Sequence, residues 1–478
     1  MIWLNNMKDK IIYNYIGKVL IGFALLFIFP IIICFIYHEN IIPFVIPQIL
    51  SLIIGLLLNL IDTKDDSIYA KQGFKIVAIA WILISIIGAF PIYLNKDANF
   101  IDALFETVSG FTTTGATIFD NVENLNKSIL FWRSFSHFIG GMGVLAFVIT
   151  IIPLSSKGKS MHILRAEMPG PTVGKLVPGI KKTLLYLYMI YLGLTITEIV
   201  LLLFGGMNFF DSILISFGTA GTGGFSVLNS SLATYSTFCK CVVALFMFLF
   251  GVNFNIYFLL FIGGIKNIFK SEELRVYILI FIVSVAFIFM NTVSLFTNSF
   301  QALIDSIFHV SSIMTSTGYS VGDINIYPTS CRVLMMMLML ISACAGSTCG
   351  GFKISRLIII FKSIKRDIVK VVHPNSVKAI TFEGKKVPED IVKNTSTFMF
   401  LYVILIIIMI FVVGFDGFSY EKTINAVFTT FGNVGLCFDV TNFSGFSSLS
   451  KVTFCIGMLL GRLEIFPMLI LFIDRNKE

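Results

Sequence analysis

Thr113-Thr114-Gly115-Ala116-Thr117 is the stretch of sequence that decides the fold, because similar phrases return further along the chain. The later copies read Thr222-Gly223-Gly224-Phe225-Ser226, Ser316-Thr317-Gly318-Tyr319-Ser320 and, more weakly, Asn433-Val434-Gly435-Leu436-Cys437. In each copy the aligned glycine lies thirteen positions after a charged residue, the pairs being Asp102 and Gly115, Asp211 and Gly224, Asp305 and Gly318, and Lys422 and Gly435. This self-similarity predicts four tandem copies of one structural unit.

The composition is that of a polytopic membrane protein. Of 478 residues, 56% are hydrophobic and 13% are charged, whereas about a quarter of the residues in a soluble domain are charged. A helix needs about 20 apolar residues to cross a bilayer. The sequence predicts ten such spans, near 12–37, 41–61, 74–94, 128–153, 183–206, 236–263, 274–296, 331–362, 395–415 and 448–473.

A shorter semi-apolar segment lies between the two spans of each later pair and ends in the glycine phrase. These segments are 103–117, 212–226, 306–320 and 423–437. About 10–14 apolar residues suit a re-entrant segment better than a full span, and its backbone needs protein or a water-filled cavity around it. We therefore predict an all-α polytopic membrane protein with four tandem helix, pore helix, filter, helix repeats around one pore, preceded by an N-terminal helix pair.

The predicted units follow each other without a large soluble insertion. Their boundaries are 1–66 for the N-terminal transmembrane helix pair, then 67–160, 161–268, 269–372 and 373–478 for pore repeats 1 to 4.

Basic residues collect on the cytoplasmic side of membrane proteins. If both termini are cytoplasmic, the basic segments 64–75, 157–182, 266–275 and 353–393 lie inside and the outer segments are mildly acidic. All four glycine phrases then lie near the outer face. A basic rim beside anionic lipid accounts for the net charge of +8, so we expect no nucleic-acid partner.

The residue types of the phrase suit coordination of a dehydrated cation. Backbone carbonyls can replace the water around an ion, glycine permits the backbone angles that this requires, and threonine hydroxyls can bond nearby backbone. Close helix packing is the alternative for a single glycine, but four aligned copies favour a filter. The predicted filter residues are Thr113, Thr114, Gly115, Thr222, Gly223, Gly224, Thr317, Gly318, Asn433, Val434 and Gly435.

Each pore helix should end near the filter, where its dipole favours positive charge. Asp102, Asp211 and Asp305 fall where these helices are expected to begin, and aspartate is a favourable N-cap. Direct attraction of cations at the pore mouth is the alternative role of these carboxylates, and the two roles are compatible.

Two further features lie inside predicted spans. Residues 343–351 (ACAGSTCGG) are small, poor helix formers, so we predict a flexible loop that lines the cavity below the filter, with a kinked or closely packed helix as the alternative.

Arg462 is a charged residue deep in the last span, and such residues usually face a cavity or pair with a partner. Facing the pore, it would slow cations or couple to gating; a structural contact with Glu464 or a carbonyl is the alternative. Glu198 is expected to be packed or paired.

The side chains do not indicate catalysis. The eight cysteines lack the spacing of a metal site or a disulfide framework, and of five histidines only His137 and His309 lie near spans or pore helices, without a matching partner motif. We therefore expect a protein that is not an enzyme.

Several motifs, in order along the chain, resemble the Trk/Ktr/HKT superfamily. They are Phe111-Thr112-Thr113-Thr114-Gly115-Ala116-Thr117, Trp132-Arg133 with Gly140-Gly141-Met142-Gly143, Arg165-Ala166-Glu167 with Pro169-Gly170-Pro171, Ala345-Gly346-Ser347-Thr348, and Gly461-Arg462-Leu463-Glu464. The resemblance is closest to the TrkH-type membrane subunits of bacterial Trk potassium uptake systems. It covers nearly the whole chain, including the N-terminal helix pair that the shorter Ktr-type subunits lack.

The resemblance implies a homodimer in the bacterial inner membrane, with one pore per protomer that is selective for K⁺ and its analogue Rb⁺. It also implies gating by a cytosolic nucleotide-binding ring of the TrkA type, and no bound cofactor other than the transported K⁺. Serine at the first filter glycine accompanies sodium permeation in this superfamily, so Gly115 favours K⁺. The implied gating residues are Ala345, Gly346, Ser347, Thr348, Gly350 and the pore arginine Arg462.

Two positions depart from the family pattern. Cys349 stands where consecutive glycines are usual, and Leu436 and Cys437 follow the fourth filter glycine. A secondary transporter that couples K⁺ to Na⁺ or H⁺ is the alternative function, but such folds usually contain inverted repeats and midplane ionisable residues. Here the predicted repeats share one orientation, which favours a channel-like path.

Overall fold

Helices form nearly all of the described structure, a computed structural model that describes residues 7–61, 70–143, 180–263, 270–376 and 378–472. The motif Arg165-Ala166-Glu167 with Pro169-Gly170-Pro171 and the predicted boundary between repeats 1 and 2 lie outside these residues. The predicted all-α membrane fold is confirmed, whereas the exact unit boundaries remain predictions.

The N-terminal pair of spans comprises α1 (Met7–Leu26) and α2 (Ile28–Tyr37), which together form the first span, and α3 (Ile42–Asn59), which forms the second. It packs against the first repeat through the Trp132 ring, which stacks on Phe27 with centroids 4.8 Å apart. The Glu39 carboxylate, just beyond α2, accepts hydrogen bonds from the backbone N–H groups of Lys127 (2.7 Å) and Ser128 (2.9 Å). A carboxylate at a helix N-terminus is favoured by the helix dipole, so the pair is fixed to the helix of the first repeat that begins at Lys127.

The four repeats follow in order, and each contains a long helix, a short pore helix and a second helix. Repeat 1 contains α4 (Ala70–Leu94), α5 (Phe100–Phe111) and α6 (Lys127–Gly141); repeat 2 contains α7 (Ile180–Phe204), α8 (Phe209–Gly221), α9 (Thr237–Phe250) and α10 (Phe254–Gly263). Repeat 3 contains α11 (Glu272–Thr292), α12 (Ser299–Met314), α13 (Thr329–Leu340) and α14 (Ile354–Val372). An antiparallel hairpin of β1 (Thr381–Phe382) and β2 (Lys385–Lys386) leads to repeat 4, which contains α15 (Glu389–Val413), α16 (Tyr420–Phe431), α17 (Ser448–Leu463) and α18 (Ile465–Leu469).

The prediction of ten continuous spans is wrong for the second helix of the repeats. Within the described residues, six helical stretches are long and apolar enough to cross a membrane: Lys10–Tyr37, Ile42–Asn59, Lys71–Leu94, Leu184–Phe204, Glu272–Leu295 and Glu389–Asp416. The second helices α6, α9, α13 and α17 are only 15, 14, 12 and 16 residues long. The predicted span 128–153 is described only as far as residue 143.

Neighbouring backbone explains why these apolar stretches can break inside the membrane. Between α9 and α10 the chain bends by 93°. The carbonyl of Gly251 at this bend accepts the N–H of Cys344, and the N–H of Phe254 donates to the carbonyl of Gly346. Broken helices are tolerated at membrane depth when protein satisfies the freed backbone groups, and apolar composition alone does not reveal such partners.

The aspartates of the repeated phrase are not N-caps, so that prediction is wrong. The caps are Asn99, Asn208, Asn298 and Ser419, whose side chains accept backbone N–H groups of the first turn. Asp102 and Asp211 lie at the third helical position, where each accepts the amide N–H of the capping asparagine (2.8 Å and 2.6 Å). These reciprocal bonds resemble a capping box, except that the carboxylate accepts the side-chain amide of the cap and not its backbone N–H. Asp305 lies well inside α12 and is buried.

Each pore helix packs against the second helix of the preceding repeat. The pairs are α8 with α6, α12 with α9, α16 with α13, and α5 with α17. The last pair joins repeat 4 to repeat 1, and an ion pair of 2.5 Å between Lys451 and Asp102 lies in it. The four pore helices therefore form a closed ring.

Candidate selectivity filter and intramembrane loop

Each pore helix is followed by a segment with the same backbone pattern; we call 113–115, 222–224, 316–318 and 433–435 the candidate filter segments. The first residue of each is left-handed, with φ of 55° at Thr113, 56° at Thr222, 54° at Ser316 and 55° at Asn433. The third is a left-handed glycine, with φ of 79° at Gly115, 76° at Gly224, 87° at Gly318 and 79° at Gly435. Ser316 was quoted in the repeated phrase but not among the predicted filter residues, although its alignment with Thr113 could have included it.

Equivalent hydrogen bonds connect the filter segments to their pore helices. The N–H of each middle residue donates to the carbonyl five residues earlier, from Thr114 to Ser109, Gly223 to Gly218, Thr317 to Ser312, and Val434 to Thr429, all at 2.8 Å. This bond, with its left-handed residue, is the geometry of a Schellman helix end. The four copies therefore share one register as well as one sequence pattern.

Each filter glycine lies directly against a carbonyl of the next filter segment in the ring. A Cβ at Gly115 would collide with the carbonyl oxygen of Gly223, one at Gly224 with that of Thr317, one at Gly318 with that of Val434, and one at Gly435 with that of Thr114. The order of contacts is 1 to 2, 2 to 3, 3 to 4 and 4 to 1. Carbonyl groups from all four segments thus surround a common axis, and only glycine leaves room for this approach.

All four filter glycines line one cavity of about 530 Å³. We call the end of the molecule at which this cavity opens the outer end, and the opposite end, which carries the hairpin, the inner end. Polar and charged residues on its wall include Asp120, Asp323 and Arg133. Asp102, Asp211 and Asp305 are not part of the described wall. Asp102 pairs with Lys451, and Asp211 accepts the Tyr235 hydroxyl at 2.8 Å, so the structure favours their structural role over attraction of cations.

A buried ion pair supports the first filter segment from behind. Arg133 Nε lies 2.7 Å from Glu106 Oε1, and both side chains are almost fully buried. The Glu106 carboxylate also accepts the N–H of Ile118 (2.9 Å) and the hydroxyl of Thr117 (3.0 Å). The Arg133 guanidinium lies 4.1 Å from the ring centroid of Phe225 in repeat 2, so the pair holds the chain beyond Gly115 and connects it to the neighbouring repeat.

His137 makes a second connection between repeats 1 and 2. Its Nδ1 lies 2.8 Å from the carbonyl oxygen of Gly110, and its Nε2 accepts the N–H of Phe225 at 3.2 Å. These partners require a proton on Nδ1 and a neutral ring. Sequence reasoning found no partner for this histidine because both partners are backbone groups, one of them 88 residues away.

The predicted loop interrupts the second helix of repeat 3, and the alternative of a kinked helix is wrong. We call residues 341–353 the intramembrane loop. At its base, Ile341 and Phe352 form a parallel bridge, and the Ser342 N–H donates to the Phe352 carbonyl at 2.9 Å. Gly346 and Gly351 are left-handed, with φ of 71° and 69°, which favours glycine at both positions.

The intramembrane loop lies beneath the filter segments; it contacts repeats 2, 3 and 4 directly and is connected to repeat 1 through Arg462. Within repeat 3, the Gly350 N–H donates to the Ser316 hydroxyl at 3.2 Å. Thr348 Oγ1 donates to the Phe250 carbonyl of repeat 2 at 3.4 Å, and Gly350 lies against the Asn433 side chain of repeat 4. Arg462 connects the Thr348 carbonyl to repeat 1. Of the other predicted gating residues, Ala345 bonds through its N–H to Glu273 and Ser347 through its hydroxyl to the Cys344 carbonyl (2.7 Å).

Arg462 is buried and donates to carbonyl oxygens on two sides. Its Nη2 lies 2.6 Å from the Gly140 oxygen and 2.7 Å from the Gly141 oxygen, and its Nη1 donates to the Thr348 carbonyl. Glu464 pairs with Arg356 at 2.6 Å. The structural contact of Arg462 with carbonyls is present, and it places this charge between the intramembrane loop and the end of α6.

Lys353 is a second buried cation at the loop, which sequence reasoning missed. Its side chain is fully buried, and Nζ donates to the carbonyls of Gly350 (3.1 Å) and Cys349. The available signal was that Lys353 stands two positions after the small residues 343–351 in an apolar stretch, because a buried charge needs partners. Glu198, which was expected to be packed, is fully buried in α7.

Comparison with known proteins identifies the family. The family model for TrkH, described as cation transport protein, matches residues 41–478. The chain belongs to the TrkH family.

Relatives in the TrkH family share most of their length with this chain. It is 34% identical over 423 residues to the Trk system potassium uptake protein TrkG of Escherichia coli K12, covering 86% of each chain. It is 31% identical over 481 residues to TrkH of the same organism, covering 98% of this chain and 99% of the relative. The crystal structure of the potassium transporter TrkH from Vibrio parahaemolyticus matches with a TM-score of 0.88 at 27% identity, over 98% of this chain and 99% of that one. The resemblance that the sequence motifs indicated is therefore confirmed.

Proposed function

We propose that this chain is the membrane subunit of a potassium uptake system and that K⁺ passes between its four filter segments. The observation that carries the proposal is the ring in which Gly115, Gly224, Gly318 and Gly435 each lie against a carbonyl of the neighbouring segment. Backbone carbonyls in such a ring can replace the hydration shell of a cation. The names of the relatives TrkG and TrkH, potassium uptake proteins, favour K⁺ as that cation.

The filter residues have two roles in this proposal. The middle and third residues of the segments, which are Thr114, Gly115, Gly223, Gly224, Thr317, Gly318, Val434 and Gly435, supply carbonyl oxygens and the space between them. The first residues, which are Thr113, Thr222, Ser316 and Asn433, form the inner end of the filter, where their left-handed conformation turns the chain from the pore helix. Glycine rather than serine at 115 is consistent with selectivity for K⁺ over Na⁺.

The intramembrane loop is the gate in this proposal, with Arg462 as its partner. The loop contacts repeats 2, 3 and 4 beneath the filter, and Arg462 connects it to repeat 1. Movement of the loop would open the path below the filter. A cytosolic nucleotide-binding ring of the TrkA type would control this movement, and the subunit would work as a homodimer with one pore per protomer.

The outer end faces the outside of a bacterial inner membrane, and both termini are cytoplasmic. The concentration of lysine and arginine in the segment 353–393, which reaches the inner end, supports this orientation because basic residues collect on the cytoplasmic side. A channel-like path is preferred to a symporter with alternating access because the four filter segments share one orientation and line one cavity.

The proposal is tested by uptake of Rb⁺ into liposomes that contain the purified protein alone, with K⁺, Na⁺ or Li⁺ competing outside. Competition by K⁺ and little competition by Na⁺ or Li⁺ are expected. Equal competition by all three ions contradicts a selective carbonyl filter. If flux is absent, a TrkA-type ring with nucleotide is added, and continued absence of flux then contradicts the proposed function.

A further inference from the structure

The Glu273 carboxylate, near the start of α11, bonds to both sides of the base of the intramembrane loop. Its Oε1 accepts the N–H of Ala345 at 2.8 Å and the N–H of Ser355 at 3.1 Å. The glutamate is buried, with 4% of its surface exposed. One carboxylate oxygen thus joins the first part of the loop to the helix that follows it.

These two bonds reinforce a closed loop base. The Ile354 N–H donates to the Ala343 carbonyl at 3.3 Å, next to the bridge between Ile341 and Phe352. Loss of the acceptor would leave two buried N–H groups unpaired, which costs free energy. Glu273 therefore stabilises, from the base, the loop conformation that lies beneath the filter.

The hairpin at the inner end determines where Glu273 lies. Glu383 occupies its turn, with φ of 50°, followed by Gly384 with φ of 73°. Glu383 Oε1 accepts the backbone N–H of Glu273 at 3.0 Å and the hydroxyl of Ser271 at 2.8 Å. Because this carboxylate is bound at the N-terminus of α11, where the helix dipole favours it, displacement of the hairpin displaces the first turn that carries Glu273.

Apolar packing connects the same elements. Ile380, Phe382 and Val387 of the hairpin are buried in one hydrophobic cluster with Leu274 of α11 and Cys344 of the loop. Lys362 on α14 adds polar contacts, since its Nζ donates to the Thr381 carbonyl at 2.8 Å and pairs with Glu272 at 2.5 Å. Hairpin, α11 and loop therefore form one packed unit that extends from the inner surface to the filter.

We propose that Glu273 is a positioning residue that holds the intramembrane loop beneath the filter, and that the hairpin 380–387 controls it from the cytosolic surface through Glu383. The inference rests on the proposed function, in which this loop is the gate. Movement of the hairpin, whose exposed side carries Lys385 and Lys386 at the cytosolic surface, would then change the position of the loop.

The first test compares Glu273→Ala with Glu273→Gln in the Rb⁺ flux assay. Alanine removes the acceptor, and we expect the initial flux without any regulator to rise about tenfold, as loss of two buried hydrogen bonds permits. Gln retains an acceptor oxygen and should restore flux close to that of the parent. The competition by K⁺, Na⁺ and Li⁺ should stay unchanged in both variants, whereas a merely structural role would lower flux or disturb this competition.

The second test addresses the hairpin. Glu383→Ala should raise flux in the same direction as Glu273→Ala, and the double variant should show no further increase, because both substitutions release the same contact chain. Asp390→Ala is the matched control, since Asp390 is also an exposed acid close to the hairpin. If Glu273→Ala does not accumulate, Glu383→Ala carries the test, because Glu383 is exposed and lies outside the loop.

The outcomes separate the two proposals. Parent protein with K⁺-selective flux, together with unchanged or lower flux in Glu383→Ala and Glu273→Ala, overturns the inference and leaves the proposed function intact. Parent protein with no selective flux in either condition of the liposome assay overturns the proposed function, and the inference with it. An increase in Asp390→Ala equal to that in Glu383→Ala also overturns the inference.

Discussion

At the scale of single residues, the filter segments concentrate backbone strain. Thr113 and Thr222 are β-branched residues with φ of 55° and 56°, a conformation that such side chains rarely adopt. Strain of this kind persists only where surrounding structure compensates for it. Here the N–H groups of Thr114 and Gly223 bond to the pore helix at 2.8 Å, so the helix end holds each segment in place.

Replacement of Gly115 should weaken discrimination against Na⁺. In Gly115→Ser, the added Cβ would collide with the Gly223 carbonyl oxygen, and a φ of 79° would be strained. Displaced carbonyls no longer match the dehydrated ion, so we expect the K⁺/Na⁺ selectivity ratio to fall about tenfold, which is about 1.4 kcal/mol. The measurement is Rb⁺ uptake against graded external Na⁺.

Gly445→Ser is the control for this substitution. Gly445 is exposed, and an added Cβ there meets no atom within 4 Å. The control should retain the parent selectivity. A normally expressed Gly115→Ser variant with unchanged K⁺/Na⁺ ratio would remove Gly115 from the filter.

At the scale of elements, broken helices bring backbone groups to the centre of the molecule. The second helix of repeat 3 stops at Leu340 and resumes at Ile354. Backbone carbonyls of the loop between these two helices accept hydrogen bonds from the charged side chains of Lys353 and Arg462. Backbone carbonyls are therefore partners of charged side chains at membrane depth here.

Replacement of Arg462 should raise cation flux. Arg462→Gln removes both a buried positive charge beneath the filter and the bonds to Gly140, Gly141 and Thr348. Less repulsion and a less restrained loop both lower the barrier for cations, and we expect initial Rb⁺ flux to increase about tenfold. Lower flux in protein that folds normally would show that Arg462 is purely structural.

Arg462→Lys separates the two contributions. Lysine retains the charge but lacks the planar fork that reaches several carbonyls at once. Flux like that of the parent would identify the charge as the barrier. Flux like that of Arg462→Gln would instead identify the hydrogen bonds between the loop and α6.

At the scale of the whole molecule, the ring of repeats closes where repeat 4 meets repeat 1. The contact of α17 with α5 joins residues more than 300 positions apart, and the partly buried pair of Lys451 and Asp102 lies within it. Lys451 also donates to the Ser444 carbonyl at 2.9 Å. Because this ion pair joins α17 to α5, repeat 4 supports the pore helix that precedes the first filter segment.

Loss of Lys451 should destabilise the closed ring. Lys451→Met leaves the partly buried Asp102 carboxylate without its cation, and the cost should be about 1–3 kcal/mol, between the values for exposed and for fully buried pairs. We expect a lower midpoint of thermal unfolding in detergent. Lys451→Met combined with Asp102→Asn should recover most of the loss; a double variant as unstable as the single one would contradict the pairing argument.

The site residues that could be predicted from the sequence are those marked by their own residue type and spacing, and not by contacts with distant residues. The filter glycines, the interruption at 343–351 and Arg462 stand out because residue type and spacing reveal them. Glu273 and Lys353 do not, since a single charged residue near a span carries no mark of its partner. Asp102 was assigned as an N-cap although Asn99 holds that position, because both residue types are good caps and only the backbone distinguishes them.

The sequence by itself determined the class of the protein, the four repeated units and the places where glycine is required. These properties depend on apolar length and on backbone conformations that few residue types permit, and both are local. The tertiary structure decided which apolar stretches break and which groups satisfy them, as in Arg462 with Gly140 and Glu273 with Ala345. Such contacts join residues 322 and 72 positions apart, and they form only because packing brings distant backbone groups together in a medium without water.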